Sequence, residues 1–222
     1  MALKSFLAIG TRGPTRAIGA IACASLLVLT SCTAFQVATH SVDIRPADAP
    51  SGQYRLDPNH YSLFFDVDHL HYIRFVSRFD RVLANLQFDS NWTRSQVDVV
   101  VDAASVDTNV TLLDKILTGG DMFDAQRYPH ISFNSTAFHP ISQTTGTLSG
   151  RLTVRDKSIP VTLDVVFNGA APDPLTHVET LGFSATGHFS RATLGLANWF
   201  PAIGDNVRVN IQAEFVKTDK IE

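Results

Sequence analysis

Cysteine is almost missing from this sequence: the only two, Cys23 and Cys32, fall among the first 32 residues. No disulfide can brace anything beyond position 32. The rest of the chain must hold itself together by burying apolar surface, which a domain of about 170 residues can do unaided. A long hydrophobic run is also missing. The most apolar stretch, Ala17 to Leu29, falls short of the roughly 20 residues of an ordinary membrane-spanning helix. No Gly-x-Ser-x-Gly elbow occurs and no glycine-rich loop leads into a helix, so the usual signatures of serine hydrolases and nucleotide binders are absent.

What is there begins with charge of one sign. Lys4, Arg12 and Arg16 are the only charged residues before Cys32. A basic start followed by a short apolar run is the pattern of an export signal. The run ends in Leu29-Thr30-Ser31-Cys32, which resembles the lipobox of bacterial lipoproteins, where the cysteine becomes the lipidated, palmitate-bearing first residue. The expected organisation is a signal at 1–31, a tether at 32–53 carrying Pro46, Pro50 and Gly52, and one domain at 54–218. The expected location is the bacterial cell envelope, lipid-anchored at Cys32 and facing the periplasm. By analogy with lipoprotein sorting, Thr33 points to the outer membrane. Removing the three signal charges from 18 basic residues leaves 15 against 21 acidic, a net charge of −6. That excludes the basic face a nucleic-acid binder needs and argues against electrostatic adsorption to anionic lipid.

From Tyr54 onward the dominant pattern has period two. In Val207-Arg208-Val209-Asn210-Ile211-Gln212-Ala213-Glu214-Phe215 every odd position is apolar and every even one polar. Such a strand buries one face and wets the other, the antiparallel habit rather than the parallel one. The same alternation places on inner faces Leu63, Phe65, Val67 and His69; Val97, Val99 and Val101; Phe133; Leu152 and Val154; Leu163 and Val165; and Phe183 and Phe189, beside Val209 and Ile211. Seven strands are clear and an eighth is expected around Phe79–Phe88. Leu112, Leu113, Ile116 and Leu117 have helical spacing before the stop Gly119-Gly120, so a short helix near 109–118 should cap one end of the sheet. The expected fold is all-β, either a sandwich or a closed eight-stranded antiparallel barrel. A barrel of that size can be filled or can hold one ligand, and alternation alone leaves both open.

Five ordered motifs resemble the YceI-like family. They are Leu56-Asp57-Pro58-Asn59-His60 with Phe65 and His69-Leu70; Ala104-Ser105-Val106-Asp107-Thr108; Asp121-Met122-Phe123-Asp124 followed by Tyr128-Pro129-His130-Ile131-Ser132-Phe133-Asn134; Gly150-Arg151-Leu152-Thr153-Val154 with Pro160-Val161; and Gly182-Phe183 with Ser190-Arg191 and Gly195. The chain departs from the family at Ser77 and Asp156, where Gly is usual, at Tyr61 in place of Ser, and at Met122 in place of an aromatic. The resemblance implies a lipocalin-like barrel with a long internal cavity, similar to polyisoprenoid-binding periplasmic proteins. It implies a polyisoprenoid or prenyl-quinone as a bound lipid and no other cofactor. The inward residues above are then the expected cavity lining, with Arg191 and Trp199 at its mouth. It leaves a homodimer open.

Other chemistry is weaker. His69 and His71 point the same way on a strand, with His60 nearby, and paired histidines can hold zinc when a third ligand converges. Spacing alone supplies no third ligand, so no metal site is expected. His69 is instead a candidate donor to a quinone carbonyl. Arg191 is expected to pair with a buried carboxylate or to meet a polar head group. Asp57, Asp107, Asp121 and Asp124 read as turn and cap residues rather than as an acid and a base. The favoured function is non-enzymatic binding, storage or transport of an elongated apolar lipid. The alternatives are a hydrolase or isomerase acting on such a lipid, and a stress-linked envelope accessory protein that makes little use of the cavity.

Overall fold

A computed structural model describes residues 36–218. Positions Cys23 and Cys32, and with them the expected signal and lipidation site, lie outside the described residues. Contacts divide the chain into Met1–His40 and Ser41–Glu222. The second unit contains the whole sheet and every buried cluster, so it carries its own core and can hold together without the residues before it.

That unit is one antiparallel sheet closed on itself. Its strands are β1 (Gly52–His69), β2 (Ile73–Phe79), β3 (Val82–Phe88), β4 (Gln96–Asp102), β5 (Val106–Asp107), β6 (His130–Pro140), β7 (Thr145–Val154), β8 (Lys157–Pro172), β9 (Glu179–Ser190) and β10 (Asn206–Lys217). The order is β10-β9-β8-β7-β6-β4-β3-β1-β2-β5, and β10 pairs with β1 to close the ring. The expected eighth strand at Phe79–Phe88 is β3, which forms one stave with β2 across an interruption at Asp80-Arg81; of β2 the expectation reached only Phe79. β4 and β5 are likewise one stave, broken by the turn Ala103–Ser105. The closed barrel therefore has eight staves, as the alternation and the family resemblance together require.

The two interruptions lie side by side and are spliced by side chains. The Ser105 hydroxyl accepts from Arg81 N at 3.1 Å and donates to Asp102 O at 2.7 Å. Tyr61 donates to Asp80 O at 2.6 Å and accepts from Val82 N at 3.1 Å. Tyr61, the family departure, thus satisfies backbone groups that the broken ladder would leave unpaired, groups that are costly to bury alone.

The helix α1 (Thr111–Thr118) follows β5, as its apolar spacing anticipated. Asp114 folds back to accept from Thr108 N and Oγ1 at 2.8 and 2.6 Å, fixing the turn that enters the helix. The segment expected to be a free tether differs from that expectation over its second half. Asp43 exchanges two backbone hydrogen bonds with Ala170, and Pro46 and Ala49 are buried against the barrel. An apolar end of the barrel would otherwise lie open, which is the physical reason these residues dock.

The core is uneven along the barrel axis. At the end where β1 begins, Tyr54, Phe88, Phe167, Leu181 and Phe215 are packed solid. Rings of Phe88 and Phe167 stack at 6.3 Å, Phe167 meets Phe183 edge-on at 5.4 Å, and Trp92 meets Phe138 at 4.3 Å. A second packed group at the other end joins Val101, Val106, Phe123, Val154, Leu194 and Leu196. Between them Val161, Leu163 and Val165 of β8 are buried with Phe138, but the inward positions of β1, β4, β9 and β10 are mostly half-buried. Along β10, Val207 and Phe215 at the ends are buried, whereas Val209, Ile211 and Ala213 between them are not.

Candidate binding cavity

That half-burial marks a hollow. An inward side chain in a filled core touches neighbours on every side; here the barrel axis offers it none. The space is a cavity of about 760 Å³, within the roughly 300–1,000 Å³ usual for small-molecule sites. Its wall includes every residue expected from strand alternation: Leu63, Phe65, Val67 and His69 from β1, Val97, Val99 and Val101 from β4, Phe133 from β6, Leu152 and Val154 from β7, Leu163 and Val165 from β8, Phe183 and Phe189 from β9, and Val209 and Ile211 from β10. Arg191 and Trp199 border it too. Two glycines keep β7 close to its neighbour without narrowing the space. A Cβ on Gly150 would sit 2.3 Å from the Phe133 ring, and one on Gly146 equally close to Phe138.

Non-repetitive segments supply the rest of the wall. Leu113, Ile116 and Leu117 of α1, Met122 and Phe123 of the following turn, and Leu194, Leu196 and Ile203 of the β9–β10 connection close one end. Sequence reading caught the helix as a cap. It did not reach the two connections, because no period runs through a loop. Phe75 and Phe79 on β2 were missed because the interrupted stave hides its alternation.

Polar groups on the wall are few, and among the described residues no Asp, Glu, Lys or Cys belongs to it. Arg191 is the one permanent charge. It makes no ion pair among the described residues, contrary to the expected salt bridge. Its guanidinium instead donates to four backbone carbonyls: Gly204 at 2.8 Å, Asn198 at 3.0 Å, Ile203 at 2.6 Å, and Leu196. The connection from β9 to β10 turns back on itself and leaves these carbonyls facing inward, and one five-donor side chain satisfies them together. Burial pushes the Arg191 pKa below its ordinary value, with Asp205 countering. Asp205 itself is held below the usual carboxylate range, first by the Ser190 hydroxyl.

The histidines separate. β1 ends at His69, and Leu70 and His71 adopt left-handed φ of 54° and 60° in the hairpin turn. His71 consequently points outward to Asp68 at 3.1 Å and does not share a face with His69, as it would on a continuing strand. His69 faces the cavity, its ring 6.0 Å from that of Phe75. Among the described residues no hydrogen-bond partner meets the His69 ring. His60 lies far down β1 in a wide bulge, where Asp57, Pro58, Asn59 and His60 oppose Glu214 alone. Its Nδ1 is 3.1 Å from Asp57 and 3.8 Å from Glu214. Asp57 also accepts from Asn59 N at 2.8 Å, the turn role read from sequence. The hydrogen bond that the His60 ring donates to the Asp57 carboxylate raises the His60 pKa. Burial alone would raise Asp57, but Asn59 N–H and the His60 ring together bring it below its ordinary value.

An apolar tube of this kind can hold a hydrocarbon chain and has little with which to do acid–base or nucleophilic chemistry. Comparisons with known proteins agree with that architecture. Residues 54–215 match the YceI-like domain. The chain is similar to a UPF0312 protein of Vibrio campbellii, 32% identical over 173 residues, covering 75% of this chain and 87% of the relative. It is similar in structure to the YceI protein of Campylobacter jejuni, with a TM-score of 0.62 and 27% identity, covering 68% of this chain and 90% of the other. A polyisoprenoid-binding domain from Saccharophagus degradans shares the fold at a TM-score of 0.57 and 13% identity, covering 74% and 98%.

Proposed function

The chain belongs to the YceI-like family, and from that premise we propose that its cavity binds an elongated apolar lipid, a polyisoprenoid or prenyl-quinone, which it stores or carries without transforming it. The observation that carries this reading is the hollow itself: about 760 Å³ enclosed by apolar side chains with Arg191 already committed to backbone carbonyls. Burying each methylene contributes about 0.8 kcal/mol, so ten such groups give about 8 kcal/mol before ordering costs, the equivalent of a micromolar Kd. The polyisoprenoid-binding domain of similar fold supports the choice of ligand class. His69, a polar ring on a mostly apolar wall, is suited to donate to a quinone carbonyl or another small head group. The proposed setting is the cell envelope, with Cys32 lipidated and the barrel facing the periplasm.

Native mass spectrometry of the purified protein, followed by lipid extraction, tests the reading. A stoichiometric isoprenoid or quinone is the expected result. Protein that stays empty when offered farnesyl, geranylgeranyl and quinone probes would overturn it. His69→Phe should weaken quinone binding while leaving a plain isoprenoid unaffected, and equal affinity for the quinone would remove the head-group role.

A further inference from the structure

The apolar surface of the cavity does not end at the wall. Leu70, Ile116 and Trp199 line the cavity and are 46%, 40% and 50% exposed. They come from three separate elements: the β1–β2 hairpin tip, α1, and the β9–β10 connection. Those elements are tied to one another around a single end. Leu70 N donates to Ala202 O at 2.8 Å, His69 bridges to Ile203, and Asn198 Nδ2 donates to Asp121 O at 3.1 Å. On the same elements Tyr72 is 83% exposed, Leu112 69% and Phe200 63%.

We propose that this rim is a docking surface for the interfacial zone of a lipid bilayer, through which an apolar ligand passes into the cavity without crossing water. The proposal rests on the cavity reading given above. Single exposed hydrophobic residues are ordinary, but a cluster drawn from three elements around one end of a cavity marks an interaction site. Trp and Tyr suit the bilayer interface because each joins an apolar body to a polar tip. Continuity selects a bilayer over another partner, since each of the three elements lines the hydrocarbon interior with one apolar side chain and exposes another beside it, Leu70 with Tyr72, Ile116 with Leu112 and Trp199 with Phe200. Insertion is apolar rather than electrostatic, because the chain beyond Cys32 carries an acidic excess. The opposite end exposes Ile44, Ile141 and Leu175, but these are aliphatic and cut off from the cavity by the aromatic plug. Residues 43–50 dock at that opposite end and leave the rim clear.

The chain has two tryptophans, one at each end, which makes the test direct. In the unit 41–222, Trp92→Phe leaves Trp199 as the only indole, and Trp199→Phe leaves Trp92. Phosphatidylcholine vesicles with brominated acyl chains should quench Trp199 strongly, in low and high salt alike, and leave Trp92 untouched. Replacing Tyr72, Leu112 and Phe200 together by Ser should reduce vesicle partitioning at least about tenfold. Uptake of a detergent-delivered isoprenoid by that variant should change less than about twofold. Unquenched Trp199 in a folded, ligand-competent protein would overturn the proposal. So would a dimer, seen by analytical ultracentrifugation without vesicles, that buries Trp199 between two copies. Vesicle docking by protein that takes up no isoprenoid would leave the rim standing and overturn the cavity reading instead.

Discussion

The two ends of this barrel solve the same problem in opposite ways. At the closed end Tyr54, Phe88, Phe167 and Leu181 are each at most 1% exposed, and a short docked segment seals them. At the other end a helix and two connections lie over the hollow, and Trp199 remains half-exposed. Large rings stand at both levels, since Phe65, Phe133 and Phe189 line the hollow, so side-chain size alone does not separate them. Contact across the axis does: Tyr54, Phe88, Phe167 and Phe215 join one buried cluster, whereas Val209, Ile211 and Ala213 of β10 stay half-buried. The closed end is thereby fixed by mutual packing, and the middle is left able to admit a guest.

The sharpest way to break this contrast is Phe167→Ala. Removing a ring that touches Phe88, Trp92 and Phe183 should cost about 3–5 kcal/mol in urea unfolding. Next is Arg191→Met, which strands four inward carbonyls and should cost about 3 kcal/mol. Proteolysis should then cut first between residues 192 and 205, while the closed end stays protected. Val209→Phe sharpens the comparison from the other side. In a filled core such an enlargement costs about 1–3 kcal/mol, but in the hollow the change should stay under about 1 kcal/mol while lipid capacity is lost. Equal destabilisation by Val209→Phe and by an enlargement at buried Leu181 would show that the middle is not hollow.

The smallest effect concerns the bulge on the outer wall. His60 has its pKa raised from 6.5 by Asp57, so its contribution is fully present below that value and is lost as pH rises through the raised one. The lowered Asp57 contributes above its ordinary value of 3.8 and loses that contribution as pH falls through the lowered one. Both are therefore present near pH 5.5. There His60→Ala should cost no more than about 1 kcal/mol, since the ring is largely exposed. At pH 9 the variant and parent should unfold together, and a persistent gap would mean that the loss is one of packing rather than charge.

The strands of this barrel were legible because a half-wet sheet writes its geometry into residue alternation, as β10 does from Val207 to Phe215. The helix was legible from Leu113, Ile116 and Leu117 for the analogous reason at its own period. Where a stave breaks, at Asp80-Arg81, the break depends on partners distant in sequence, Tyr61 and Ser105, and no local pattern reports it. The same holds for Arg191, whose four acceptors are carbonyls and so leave no trace in residue type. His71 was misplaced because one left-handed turn after His69 reverses a face that alternation assumes to continue. Whether the barrel is filled or hollow was not legible in the alternation, and only the family resemblance pointed to a cavity. Val209 and Ile211 read the same in either case, since the answer depends on how far apart eight closed staves hold them.

The hollow also makes the folded chain respond to hydrostatic pressure. An apolar hollow of about 760 Å³ is volume that unfolding would eliminate, and compression favours whichever state occupies less. A guest that fills the void removes that volume penalty as well as contributing its own contacts. The empty barrel should thus unfold at much lower pressure than the loaded one, by a wider margin than their difference in thermal midpoint would suggest.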